Sequence, residues 1–123
     1  MKLKLCHYYF YIFAFLFSPL PLYAETFISR TYEFAPNKPV VLENPLFWGV
    51  NLICSMDIKD SETFITGLMK KNGGEINGQT LKEGQSVTVL LRHKDILTIT
   101  AERRAKVEIT NQGVSTVVAN CTL

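Results

Sequence analysis

The stretch LFWGVNLICSMDI, residues 46–58, decides the fold. At a period of two, Trp48, Val50, Leu52, Cys54, Met56 and Ile58 fall on one wholly apolar face. Phe47, Gly49, Asn51, Ile53, Ser55 and Asp57 fall on the other, which is mixed. Successive side chains of a strand point to opposite sides, so the pattern predicts a strand covering a core on one side and meeting water on the other. Gly49, Asn51 and Asp57 exclude a transmembrane helix. Cys54 belongs to the buried face.

A second cysteine passes the same test. In STVVANCTL, residues 115–123, Val117, Ala119 and Cys121 share one face, while Val118 and Asn120 take the other. Two inward cysteines on strands predict a Cys54–Cys121 bridge that joins two strands or two sheets through the core. The third cysteine, Cys6, lies in a segment that reads as an address. Lys2 and Lys4 form a cationic start, Leu5 to Phe17 an apolar run, and SPLPLYAET breaks it and offers Ala24 as a cleavage point. That is the order of a secretory signal peptide. A membrane anchor needs about 20 apolar residues; Leu5 to Leu22 falls slightly short and is interrupted by His7, Pro19 and Pro21.

The expected organisation is therefore a cleaved, bacterial-looking leader over residues 1–24 and one domain over residues 25–123, periplasmic or extracellular. Export favours the disulfide, because that compartment is oxidising. A bridge closing a loop of about 67 residues stabilises by roughly 4 kcal/mol in the chain-entropy picture. The whole chain has 13 Lys+Arg and 11 Asp+Glu; without Lys2 and Lys4, 11 of each remain. With formal charge zero, no global field points to nucleic acid or an anionic membrane.

Outward from the core strand, alternation and turn signals recur. TFISRTYEF ends at APNKP, where two prolines stop pairing. PVVLE, SVTVLLR, DILTITA and AKVEIT read as strands; HK, ERR and NQG read as turns. Ala105, Val107 and Ile109 are expected inward. DSETFITGLMKKNGG, residues 60–74, is ambiguous: Ser61 could cap a helix, but Thr63, Ile65, Thr66 and Gly67 are poor helix formers, and a strand is preferred. Asn72-Gly73 and Asn77-Gly78 are hairpin signals, since both residue types tolerate positive φ. The fold class that follows is all-β: a small antiparallel β-sandwich, immunoglobulin-like in general architecture, or a small barrel, stapled by one disulfide. Trp48 precedes Cys54 instead of lying between the two cysteines, so no membership of the antibody family follows.

Chemistry is sparse. Beyond the leader the only histidine is His93, in the RHKD turn, and no zinc set can be assembled around it. Asp57, Asp60 and Glu62 lack the mid-loop glycine of a calcium-binding loop. Nucleophilic catalysis needs a nucleophile beside an oriented base, and neither a metal, a cofactor nor a catalytic group is expected. Two basic clusters, Arg92–Lys94 and Arg103–Lys106, should lie at opposite ends of the strand between them, so a nucleic-acid stripe is not expected.

Apolar residues on outer faces carry what remains. Phe47, Ile53, Leu90 and Ile96 form the candidate partner surface, with Leu90 placed opposite Ile96. The expected function is a non-enzymatic binding protein acting through a protein or cell-envelope partner, with no stable membrane span after cleavage. The alternatives are an inhibitor of a secreted hydrolase, using NGGEINGQ (residues 72–79) as its wedge, and an enzyme with an unrecognised site.

Overall fold

The computed structural model describes residues 25–27 and 30–123; the expected leader, residues 1–24, lies outside them. The strands are β1 Glu25–Thr26, β2 Arg30–Phe34, β3 Val40–Glu43, β4 Val50–Asp57, β5 Glu62–Lys71, β6 Gly74–Ile76, β7 Gln79–Leu81, β8 Ser86–Arg92, β9 Ile96–Ala101, β10 Lys106–Asn111 and β11 Val117–Thr122. They form two sheets, ordered β1-β3-β10-β5-β8 and β2-β11-β4-β9-β6-β7. All strand pairings are antiparallel except β1 with β3. The arrangement is a sandwich, as the alternation predicts. The ambiguous segment is β5, a strand with Thr63, Ile65, Gly67 and Met69 inward.

The core lies between the sheets. Its fully buried side chains include Tyr32, Phe34, Leu42, Leu52, Met56, Ile65, Met69, Ile76, Leu97, Ile99, Val107 and Ile109. The face read from residues 46–58 holds for Leu52, Cys54, Met56 and Ile58. It fails at Trp48, which is 63% exposed. The strand begins at Val50, so the alternation that runs back through Trp48 belongs to a loop and carries no facing information.

Cys54 and Cys121 are bonded. They sit directly opposite each other on the neighbouring strands β4 and β11, with Cα atoms 4.0 Å apart. The bridge therefore staples two strands of one sheet and does not cross between sheets.

The connections hold the main surprise. From β2 onward, every connection except β6–β7 carries the chain from one sheet to the other. Asn77-Gly78 does close an in-sheet hairpin, with φ of 48° and 82°, the positive-φ pair that a two-residue loop requires. Asn72-Gly73 does not: it moves the chain from β5 in one sheet to β6 in the other. The RHKD and ERRA turns are also corners between sheets, each closed by a backbone bond across four residues, Asp95 N–H to Arg92 O and Ala105 N–H to Glu102 O, 3.0 Å each. Lys94 and Arg104 supply the left-handed conformation there, at φ 71° and 57°.

Candidate functional site

A buried asparagine organises one end of the sandwich. Asn44 follows β3 and has no exposed surface. Its Nδ2 donates to the carbonyls of Trp48 at 2.9 Å and Glu102 at 3.0 Å. Its Oδ1 accepts from the Leu46 amide at 3.0 Å, the local turn that Asn favours. Its backbone N–H reaches Ala105 O at 2.9 Å. One polar side chain thus ties the β3–β4 loop to the β9–β10 corner, and among the described residues no buried side-chain polar atom lacks a partner.

Arg104 completes the lacing. Its amide donates to Leu46 O and its Nη1 to Pro45 O, both at 3.0 Å. Its guanidinium lies 5.4 Å from the Phe47 ring centroid, within cation–π range. A third segment joins through Asn72, whose Nδ2 donates to Arg103 O at 2.8 Å. Glu102 exchanges with Gly73: Gly73 N–H donates to the Glu102 carboxylate at 3.1 Å, and Glu102 N–H to Gly73 O at 3.0 Å. On this frame Phe47 and Trp48 stand 74% and 63% exposed. Adjacent large aromatics on a loop tied down by these hydrogen bonds have already lost much of the ordering entropy that binding would otherwise cost.

Comparison with family models, curated proteins and solved structures finds no match.

The four residues of the expected partner surface are all exposed but lie in three places. Phe47 is on the Asn44 loop. Ile53 and Ile96 are diagonal neighbours on the outer face of the six-stranded sheet, since Ile53 pairs with Thr98 and Ile96 with Ser55. Leu90 lies on β8 of the five-stranded sheet, opposite Phe64, itself 52% exposed. Leu90 and Ile96 therefore sit on opposite faces of the molecule, because the corner between β8 and β9 changes sheets. Trp48, Phe64 and Asn44 were missed. An Asn before Pro45 at a strand end was the available signal for Asn44.

The acidic group disperses into separate contacts. Asp57 stands 3.4 Å from His93 Nδ1, Glu62 3.6 Å from Arg92, and Asp60 accepts from Ser115 Oγ at 3.5 Å. His93 Nδ1 also accepts from the Ile58 amide at 3.1 Å, so the ring braces the β4–β5 corner. Among the described residues no three His, Cys, Asp or Glu side chains group as metal ligands. No helix among them is long and apolar enough to cross a membrane. NGGEINGQ is mostly woven into the sheet: Gly74, Ile76 and Gly73 are buried, and only its Asn77–Gln79 tip projects.

Proposed function

We propose that this chain is a non-enzymatic binding module that engages a protein or cell-envelope partner through the end carrying Phe47 and Trp48. The observation that carries this reading is two adjacent, largely exposed aromatics on a loop fixed by the fully buried Asn44. Aromatic anchors beside arginine are the side chains that dominate binding energy at interfaces, because they bury much area at little rotamer cost. Arg103 and Arg104 flank them on the same end. The Cys54–Cys121 bridge is compatible with an exported protein, and envelope and secreted proteins are the first partners to test.

The chain contains a single tryptophan, so Trp48 emission reports this end directly. Envelope fractions and secreted proteins are titrated into the purified protein. Binding here shifts Trp48 emission to the blue, and Phe47→Ala weakens it by about tenfold or more, the loss of one anchor. Ile53→Ala and Ile96→Ala leave it unchanged. A partner that a pull-down still retains on the Phe47→Ala, Trp48→Ala double variant overturns the reading.

A further inference from the structure

The four sheet edges differ sharply. β1 has two residues and β7 three. β2 carries Arg30 and Glu33 and is followed by Pro36. Short length, charge and proline are the usual ways of blunting an edge against further pairing. β8 has none of them between Ser86 and Leu91. It is seven residues long and, among the described residues, pairs only with β5.

Its open side can be read from the ladder. Met69 N–H donates to Gln85 O, which sets the odd-numbered residues of β8 against β5. The N–H and C=O groups of Ser86, Thr88 and Leu90 then point away from the sheet. Arg92 points the same way, but its groups are taken: its N–H donates to Asp95 Oδ2 at 2.8 Å and its C=O accepts from Asp95 N–H at 3.0 Å. Three donors and three acceptors remain, at alternate residues centred on Thr88. Inward, Val87 and Val89 pack on the core yet stay only half-buried.

We infer that β8 pairs with β8 of a second copy, antiparallel about a two-fold axis at Thr88. In this register Thr88 faces Thr88, and Ser86 faces Leu90 in both directions. All six open groups of each copy are then used, in six hydrogen bonds. Val87 of one copy meets Val89 of the other, covering the half-exposed apolar margin. No charge opposes a like charge across residues 86–90, since that segment carries none. Such a contact uses the same patch on both copies and closes on itself, giving a dimer and not a fibre. The two five-stranded sheets become one sheet of ten.

Sedimentation of the purified protein over a concentration series tests this, together with air oxidation of two cysteine variants. A hydrogen-bonded antiparallel pair has Cα atoms about 5.5 Å apart, within disulfide range. Thr88→Cys is expected to trap a covalent dimer. Ser86→Cys should not, because its copies lie four residues apart along the paired strands. Leu90→Pro removes an outward N–H and no bond to β5, and should weaken the dimer by about tenfold or more; far-UV circular dichroism checks that it folds. Should Leu90→Pro fail to fold, the two cysteine variants decide. A protein that stays monomeric at its highest soluble concentration overturns the inference, as does a dimer that Ser86→Cys traps and Thr88→Cys does not.

Discussion

Replacing Asn44 with Ala tests whether one side chain holds the aromatic end in place. The change deletes three hydrogen bonds of 2.9–3.0 Å, to Trp48 O, Glu102 O and Leu46 N–H. A net hydrogen bond is worth about 1 kcal/mol, and a buried group left unsatisfied costs about 1 to 3 kcal/mol. Water can reach the loop side after the change, so the lower figure applies to each, and the expected loss is about 3 kcal/mol. For a domain of this size that lowers Tm by roughly 12 to 20 °C. Urea unfolding followed by circular dichroism, with an unchanged slope, measures it. Asn44→Asp sharpens the test. Its carboxylate would face the Trp48 and Glu102 carbonyls, so the folded state would hold the acid above its unfolded pKa of about 3.9. An acid raised on folding contributes most below its unfolded pKa, so this variant should lose stability as pH rises from about 4. If Asn44→Ala lies within about 0.5 kcal/mol of the parent, the range of an ordinary surface change, the lacing argument is wrong.

Four further outcomes are expected. Reducing the Cys54–Cys121 bridge, or replacing both residues with Ala, should cost about 4 kcal/mol in urea unfolding, the loop-closure value for its separation of 67. Gly74→Ala should cost about 1 to 3 kcal/mol by thermal melting, because a methyl there runs into the Thr100 carbonyl and the Met69 side chain. Ile99→Ala, at a core position 1% exposed, should cost about 2 to 5 kcal/mol in the same assay. Phe47→Ala and Trp48→Ala should each stay within about 1 kcal/mol of the parent, since both rings are mainly in water and the Arg104 contact of Phe47 is an exposed cation–π pair; larger losses would mean that these rings support the fold.

Facing was legible wherever a strand was real. Leu52, Cys54 and Met56, then Ala105, Val107 and Ile109, then Val117, Ala119 and Cys121 are all buried as alternation requires. Alternation says nothing about where a strand starts, which is why it puts Trp48 on the buried face. Pairing was not legible. A corner between sheets uses the same left-handed residue and four-residue closure as a hairpin, as Lys94 and Arg104 show. Local turn chemistry therefore does not distinguish a neighbour from the opposite layer, and it puts Leu90 opposite Ile96. Of the site, Phe47 was visible as an outer apolar residue. Its support was not, because Asn44 acts through Trp48, Glu102 and Leu46, and Glu102, 58 residues away, joins only through the fold.

The seats taken by β10 and β11 have a consequence for assembly. β10 lies between β3 and β5, and β11 lies between β2 and β4. Before these two strands are available, the β1-β3 pair has nothing to bond to β5-β8, and β2 stands alone. The last two strands in chain order act as keystones for both layers at once. No portion of the chain that stops short of β10 contains a finished layer, and the six-stranded layer waits for β11, so folding should be slow.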